Sequence, residues 1–252
     1  HWGAKGTNAG LWLDKYIAEQ KRDDSDSRLQ LIKEVSTLPE SEEYNAYFKR
    51  WEKTLGAYSS TTQTRQVRVK GRMILGLGSE SILETSISLN RTYGVPYIPG
   101  SAIKGLAASY AHQRLGKEWQ KGGQLHNIVF GNTEESGNIT FFDALYIPGS
   151  GYNGRSLYPD IITVHHQKYY QENTKSAPSD SDDPNPVPFL SATGKYLFAL
   201  AAPDFQQTTR WIDITFQLLA EALDKLGIGA KTSSGYGRML FVDSPVRPLN
   251  PE

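Results

Sequence analysis

The chain has 252 residues, of which 38% are hydrophobic and 21% are charged, which is ordinary for a soluble globular protein. It contains no cysteine, which excludes a disulfide framework and a thiolate metal site. No apolar run approaches the roughly 20 residues that a membrane-spanning helix requires, and the first residues lack a signal-peptide pattern. We therefore expect a cytoplasmic protein without a membrane partner.

The formal net charge is zero, which argues against a free-standing nucleic-acid binder of the usual basic kind. The charges are nevertheless segregated along the chain. Residues 64–131 carry nine Lys and Arg against three acids, whereas residues 132–226 carry twelve acids against six bases. This distribution favours a local anion-binding face, with other surfaces left for protein partners. The alternative is chance segregation over a neutral surface.

A helical segment is predicted over residues 1–63. Apolar residues recur at helical spacing around Leu11, Leu31 and Phe48, and Asn8 is a candidate N-cap for the first of these stretches. The aromatic stripe of the third stretch is more typical of a core than of a base-stacking surface. We treat this segment as one unit, followed by a domain over 64–242 and a tail over 243–252.

The segment 64–77 alternates and predicts a strand in which Val67 and Val69 point to one face. Its four cations are predicted to point mostly to the other face: Arg65, Arg68, Lys70 and Arg72. A solvated strand face is the ordinary explanation of such a pattern. Four cations with few acids nearby nevertheless favour an anionic partner.

A helix is predicted over residues 102–115, with Ser101 as its N-cap. Ser101 and Lys104 would then lie at a helix N-terminus, where unpaired N–H groups and the helix dipole favour an anion. The alternative is that Ser101 only caps its own helix. Gly105, inside the helix, indicates the close approach of another backbone or of RNA.

Further elements follow in the order helix 125–130, strand 138–146, strand 194–202, helix 210–226 and strand 236–242. A long excursion lies at about 150–190, and its stretch 176–188 has the Ser-, Asp- and Pro-rich composition of a mobile loop. Without the insertions, the order is β-α-β-β-α-β. This order predicts an α+β fold, ferredoxin-like or RRM-like, with an N-terminal helical segment.

A glycine-rich loop, residues 227–238, joins the last helix to the last strand. Its four glycines permit positive φ and close backbone approach, and successive N–H groups in such a loop can form an anion-binding nest. Lys231 and Arg238 would supply the positive charge that phosphate contacts need. The loop is therefore predicted to bind a polyanion.

The run Ala230-Lys-Thr-Ser-Ser-Gly-Tyr-Gly-Arg resembles the C-terminal glycine-rich loop of the RAMP superfamily of CRISPR proteins. Three more segments match this superfamily in the expected order: Tyr93-Gly-Val-Pro-Tyr-Ile-Pro-Gly-Ser-Ala-Ile-Lys-Gly, Phe130-Gly-Asn followed by Gly137-Asn-Ile-Thr-Phe-Phe-Asp-Ala, and Asp160-Ile-Ile-Thr-Val-His-His. With an N-terminal helix Gly10-Leu-Trp-Leu-Asp-Lys-Tyr, the set is most similar to a subunit of the Cmr (type III-B) effector complex. The resemblance covers residues 64–242 and is specific in combination.

The resemblance implies an RRM-like palm with a thumb inserted at about 150–190. It also implies a non-catalytic subunit at the head end of an RNA-guided complex, which holds the 3′ part of the guide RNA through backbone phosphates. The implied partners are the guide RNA, the backbone RAMP subunit, the other head-end RAMP subunit and, indirectly, the target RNA. The RNA-binding residues that carry over are Gly100, Ser101, Lys104, Lys231, Thr232, Ser233, Ser234 and Arg238.

The alternative is a metal-independent endoribonuclease that matures guide RNA, an activity found in the same superfamily. Its candidate acid–base groups are His165, His166, Asp160 and Asp143, with His112 and His126 more distant. Asp160, His165 and His166 could also be considered as a metal site. Adjacent residues on an extended chain point to opposite faces, however, so His165 and His166 cannot easily bind the same metal ion. We expect no catalytic residue, no metal and no cofactor. A third hypothesis, a protein scaffold without RNA contact, leaves the basic strand and the loop unexplained.

Overall fold

The computed structural model describes residues 7–16, 25–77, 87–164, 185–203 and 208–242. The helices are α1 (Ala9–Lys15), α2 (Ser25–Thr37), α3 (Glu42–Ala57), α4 (Gly100–Arg114), α5 (Gln124–Phe130) and α6 (Thr208–Lys225). The strands are β1 (Thr62–Val69), β2 (Tyr97–Ile98), β3 (Thr140–Phe141), β4 (Ala144–Tyr146), β5 (Leu157–Val164), β6 (Asn185–Ala192), β7 (Lys195–Ala201) and β8 (Met239–Phe241). The predicted α+β class is confirmed.

The N-terminal segment forms the three helices that its apolar spacing predicts. Asn8 caps α1 as expected, because its Oδ1 accepts a hydrogen bond from the Leu11 N–H at 3.1 Å. Ser41 caps α3 in the same way through the Tyr44 N–H at 3.2 Å. These side-chain acceptors satisfy N–H groups that have no partner within the helix.

The main sheet is antiparallel and has the strand order β2-β4-β7-β1-β8, with β3 paired to β7 beside β4. Strand β7 is central, and its residues from Tyr196 to Leu200 are all buried. An uninterrupted apolar run is what a strand covered on both faces requires. The strands β5 and β6 form a separate antiparallel pair.

Helices cover both faces of the sheet centre. On one face, Val67 and Tyr196 belong to the large core cluster together with Phe216 of α6. On the opposite face, Phe48 and Leu55 of α3 pack with other buried residues, namely Leu145, Leu197 and Ala199. Helix α3 therefore occupies the centre of the face that α4 and α6 leave free.

The predicted strand 64–77 is shorter than expected. Strand β1 ends at Val69, and Gly71, with φ of 84°, turns the chain. Beyond this turn, Met73 forms an isolated bridge with Ala192 at the end of β6. One extended segment thus contacts two different sheets.

The predicted common face for four cations is wrong. Because side chains alternate along a strand, Arg65 shares the face of Val67 and Val69. Its guanidinium lies 5.3 Å from the centre of the Phe216 ring. The other face of β1 carries Arg68, whereas Lys70 and Arg72 lie beyond the strand, on either side of Gly71.

Two further boundaries differ from expectation. The last strand begins at Met239 rather than at Tyr236, because Gly237, with φ of 71°, still belongs to the preceding turn. The predicted mobile loop 176–188 overlaps β6, whose residues 185–188 pair with β5, and its earlier part lies outside the described residues.

No helix in the described ranges is long and apolar enough to cross a membrane.

Candidate nucleic-acid interface

The glycine-rich loop packs against the extended segment that follows β1. The Ala230 N–H donates to the Ile74 carbonyl and the Gly237 N–H donates to the Arg72 carbonyl, both at 2.9 Å. A third bond closes the loop on itself, from the Ile228 N–H to the Gly237 carbonyl at 2.9 Å. The loop is therefore fixed to the body of the protein at both of its ends.

Two of the loop glycines are required by close backbone approach. Gly229 has φ of 92°, and a Cβ there would collide with the Ile74 carbonyl oxygen. Gly237 has φ of 71°, and a Cβ there would collide with the Ile228 carbonyl oxygen. L-amino-acid side chains are disfavoured at such φ values even without a collision. Close approach thus occurs within the protein itself, between the loop and its supports.

The tip of the loop is open to solvent. Lys231 is exposed and has a left-handed backbone, with φ of 54° and ψ of 37°. It precedes a short 3₁₀ turn over Thr232–Ser234, in which Ser233 and Ser234 are exposed and Thr232 is half-buried. These side chains are the predicted loop contacts that remain available to a ligand.

Half of the twelve N–H groups in the predicted nest are engaged by backbone carbonyls of the protein. Six N–H groups of the loop donate to backbone carbonyls of this chain: those of Gly227, Ile228, Ala230, Ser234, Gly235 and Gly237. Arg238 is also engaged, because its Nη1 donates to the Asp224 carbonyl at 2.8 Å, near the end of α6. Glycines and Arg238 therefore brace the loop, whereas its tip carries the free side chains.

Other cations near the loop are neutralised within the chain. Lys70 Nζ lies 2.7 Å from Asp224 Oδ1, and Arg72 Nη1 lies 2.6 Å from Asp160 Oδ2. The Arg72 guanidinium also lies 4.6 Å from the centre of the Tyr158 ring. Lys70 and Arg72 therefore have partners within the chain and do not require an external anion.

Asp160 also holds the loop to the β5–β6 pair. The Tyr236 hydroxyl donates to Asp160 Oδ2 at 2.9 Å. Burial raises the pKa of Tyr236, and the Asp160 carboxylate raises it further. Asp160, a candidate acid–base group, therefore ties the loop to the insertion.

The second predicted contact region lies at the start of α4. The helix begins at Gly100, so the assignment of Ser101 as N-cap is wrong. Pro99 occupies the N-cap position and has no polar side chain. Instead, the Gly100 N–H donates to Asp143 Oδ1 at 2.8 Å, from the connection between β3 and β4. A carboxylate of the protein thus already occupies the helix N-terminus, where the dipole favours negative charge.

Gly100, Ser101 and Lys104 nevertheless line a common cleft of about 470 Å³. Its opposite wall is the turn 132–137, in which Asn132 Oδ1 accepts hydrogen bonds from the Glu134 and Glu135 N–H groups. The cleft therefore joins two of the segments that carry the family resemblance. It has mixed charge, because its lining includes two exposed glutamates beside Lys104.

Gly105 does not approach another backbone of the protein closely, which was one of its two predicted contacts. A Cβ at Gly105 would meet nothing within 4 Å, whereas a Cβ at Gly100 would collide with the Phe141 carbonyl oxygen. The crowded glycine of α4 is therefore the one at its first residue. Gly105 instead leaves open surface on the helix.

The two contact regions lie on different parts of the fold. The cleft borders β3 and α5, whereas the loop packs on residues 72–74 and on the end of α6. No hydrogen bond or ion pair among the described residues joins a member of one region to a member of the other. A ligand that touches both must extend across the protein.

The other acid–base candidates have structural contacts. His112 Nδ1 accepts a hydrogen bond from the Lys121 N–H at 3.2 Å. Burial lowers the pKa of His126, which is 8% exposed, so its neutral form is favoured. His165 and His166 lie outside the described residues. Within the described ranges, no group of three or more potential ligands could hold a metal ion.

Sequence reasoning missed the partners of Asp143 and Asp160 as well as the covering of the sheet by α3. The two carboxylates act across more than forty residues of sequence, which no local pattern reports. Only the aromatic stripe around Phe48 signalled that α3 has a buried face. It did not show which surface α3 covers.

The protein thus contains an antiparallel α+β domain, and a braced glycine-rich loop follows the last helix of this domain. The family model described as the RAMP superfamily matches residues 66–240. Because this match spans more than half of the chain, the protein belongs to the RAMP superfamily. The predicted membership is confirmed.

Two curated relatives share the same description. The chain is 29% identical to the CRISPR system Cmr subunit Cmr6 of Pyrococcus furiosus, over 78% of this chain and 72% of the relative. It is 28% identical to the subunit Cmr6 of Saccharolobus solfataricus, over 63% of this chain and 51% of the relative. The predicted similarity to a subunit of the Cmr complex is therefore confirmed, and both relatives are subunit Cmr6.

A solved structure with a similar fold is the cryo-EM structure of the type III-B Cmr-β complex bound to cognate target RNA. The TM-score is 0.65, with 23% identity, and the match covers 86% of this chain and 71% of that chain. At this identity the likeness concerns the fold alone.

Proposed function

We propose that this protein is a non-catalytic, RNA-binding subunit of a type III-B CRISPR (Cmr) effector complex that acts in antiviral defence. Membership of the RAMP superfamily and the two relatives named Cmr6 support the assembly. In this proposal the chain holds the 3′ part of the guide RNA. Its neighbours are the backbone RAMP subunit and the other head-end RAMP subunit, and the target RNA is an indirect partner.

A ferredoxin-like palm is part of the proposal. The first β-α-β half consists of β1, α4 and the short strands β3 and β4. The second half consists of β7, α6 and β8. Strands β1 and β7 are central and antiparallel, with β8 beside β1 and β4 beside β7. This interleaving of two β-α-β halves supports the ferredoxin-like arrangement.

The exposed, strained Lys231 is the observation that carries RNA binding. A non-glycine residue in the left-handed region is disfavoured, and such strain is concentrated at functional sites. The bracing of the loop gives Lys231 a fixed position without neutralising it. An exposed ammonium on a braced backbone, in the same loop tip as the Ser233 and Ser234 hydroxyls, suits a phosphate of an RNA backbone.

The other predicted contacts take different roles. Lys104 and Ser101 offer an ammonium and a hydroxyl to a phosphate that enters the cleft, and Gly100 places the helix against β3. Thr232 completes the polar tip of the loop. Arg238 acts through its bond to the Asp224 carbonyl, which holds the loop on α6. Contacts of this kind grip any sequence, as a guide-binding subunit requires.

Binding without cleavage is the favoured role. Asp143 caps α4 and Asp160 pairs with Arg72, so neither carboxylate is presented alone to a substrate. The alternative, a ribonuclease that uses His165 and His166, predicts discrete products from a labelled precursor RNA. Cleavage by the purified protein that disappears in His165→Ala/His166→Ala would overturn the non-catalytic role.

The test of RNA binding uses Lys231→Asn, which removes the charge but tolerates the left-handed backbone. In the assembled complex, we expect weaker guide retention, uniform across guide sequences, with a salt dependence that is smaller by about 0.7 per lost phosphate contact. Lys231→Arg is the matched control and should retain the guide. Unchanged retention in Lys231→Asn, or a loss confined to some guides, would contradict the phosphate contact.

A further inference from the structure

Two cations stand side by side on the sheet face that α3 covers only in part. Arg68 of β1 and Lys195 of β7 are directly opposite each other in the antiparallel register. Lys195 shares the face of Leu197, which is buried against α3. Arg68 is nevertheless exposed and Lys195 is half-buried. The pair therefore lies beyond the area that α3 covers.

This placement is unfavourable in the protein alone. Opposite side chains of an antiparallel pair have Cβ atoms about 4.5–5.5 Å apart, and like charges at that distance repel. Among the described residues, neither cation has an ion pair or a side-chain hydrogen bond. Arg65, Lys70 and Arg72, by contrast, all have carboxylate partners.

An exposed apolar side chain continues the row across the sheet. Leu240 of β8 is the register partner of Arg68 on its other side and is 46% exposed. Since neighbouring strands lie about 4.8 Å apart, the three side chains form one row about 10 Å long. The row crosses β7, β1 and β8 on a single face.

We propose that Arg68 and Lys195 form a phosphate-binding site for a single RNA strand that crosses this edge of the sheet. One phosphate can accept hydrogen bonds from the guanidinium and from the ammonium at once, which offsets their repulsion. Leu240 then lies against the adjacent sugar or base. The site rests on the proposed RNA-binding function and adds a surface apart from the loop and the cleft.

An RNA strand fits this surface better than a protein segment does. Next to the cations, the exposed apolar side chains on this face are Leu240 and Val242 among the described residues. Two such side chains supply little of the roughly 800 Å² that each partner of a stable protein interface buries. A pair of cations without carboxylates suits a phosphate, which carries its charge on a compact group.

The test uses the double variant Arg68→Thr/Lys195→Thr, with threonine chosen because it suits strands. The full chain is titrated with labelled oligouridine about 20 nucleotides long at several salt concentrations. We expect affinity about tenfold weaker and a salt slope smaller by about 0.7. The RNA-free variant should melt about 1–3 °C higher, because the like-charge pair is gone. Lys33→Ala, an exposed cation of α2, is the control and should bind as the wild type does.

Parallel titration of Lys231→Asn separates this site from the proposed loop contact. Weakening of both variants supports both sites. Normal binding by the double variant with weakened Lys231→Asn overturns the sheet site and leaves the proposed function intact. Weakening of the double variant alone supports the sheet site and contradicts the loop contact. A double variant that loses affinity for polyglutamate but not for oligouridine identifies an acidic protein surface as the partner and overturns the RNA assignment.

Discussion

The carboxylate of Asp143 accepts a hydrogen bond from the Gly100 N–H at 2.8 Å, and so caps α4 from the connection between β3 and β4. Pro99 precedes the helix and cannot supply a capping side chain. The cap therefore joins two of the segments on which the family resemblance rests. It also places a negative charge where the sequence predicted an external anion.

We expect Asp143→Ala to lower the free energy of unfolding by about 1–2 kcal/mol, because the first turn of α4 loses its acceptor. Asp143→Asn keeps an acceptor oxygen and should lose less. Urea denaturation of the two variants measures the difference. Equal losses in both would show that Asp143 acts through its charge rather than as a cap.

Gly100 and Gly105 provide a matched pair within α4. Gly100→Ala should destabilise the protein by about 1–3 kcal/mol, because the new Cβ collides with the Phe141 carbonyl. Gly105→Ala meets open space and should stabilise it by about 0.5–1 kcal/mol, since alanine is the better helix former. Thermal unfolding of both variants checks the opposite signs. A loss of stability in Gly105→Ala would contradict the open surface at that position.

Local patterns in the sequence predicted the elements of this fold well. Apolar spacing marked the three N-terminal helices, and the apolar run 195–201 marked the central strand. Errors arose where a long-range contact decides the structure. Ser101 has the right chemistry for an N-cap, but Asp143 caps the helix from the connection between β3 and β4. The prediction for Arg65 and Arg68 failed for a local reason, because residues three apart on a strand point to opposite faces.

The candidate site shows the same limit. Glycine content and charge identified the loop 227–238, and its exposed tip is where Lys231 was expected to be available. The roles of the individual glycines could not be read from the sequence, because Gly229 and Gly237 approach Ile74 and Ile228 only in the folded chain. The pairing of Arg72 with Asp160 depends likewise on how β5 meets the end of β1.

Substitution of Lys231 should affect stability and RNA binding in opposite directions. Lys231→Gly relieves the left-handed backbone and should raise the free energy of unfolding by about 0.5–1 kcal/mol, while guide retention falls with the lost charge. Asn153→Gly, at the other non-glycine residue with positive φ among the described residues, is the control. It should gain less, since asparagine tolerates this region. Denaturation and filter binding report the two effects separately, and a Lys231→Gly variant that is not stabilised would contradict the strain.

Glu40 makes the stability of the protein depend on pH. Its Oε1 accepts a hydrogen bond from the Ser156 N–H at 3.1 Å, yet burial raises its pKa above the ordinary value of 4.5. Burial raises the pKa of the Tyr146 phenol to about 12, and the nearby negative charge of Glu40 contributes to this rise. The folded protein therefore binds the Glu40 proton more tightly than the unfolded chain does. Stability from this group is present below pH 4.5 and is lost as the pH rises through the raised pKa.

We accordingly expect Glu40→Gln to be more stable than the wild type at pH 8, because the amide keeps an acceptor for the Ser156 N–H but carries no charge to desolvate. The difference should shrink as the pH falls and vanish below pH 4.5, where the wild-type carboxyl is protonated in both states. Urea denaturation across this range measures it, with Glu52→Gln, an exposed carboxylate of α3, as the control. A Glu40→Gln variant that is less stable than the wild type at pH 8 would mean that the hydrogen bonds to the charged form outweigh its burial.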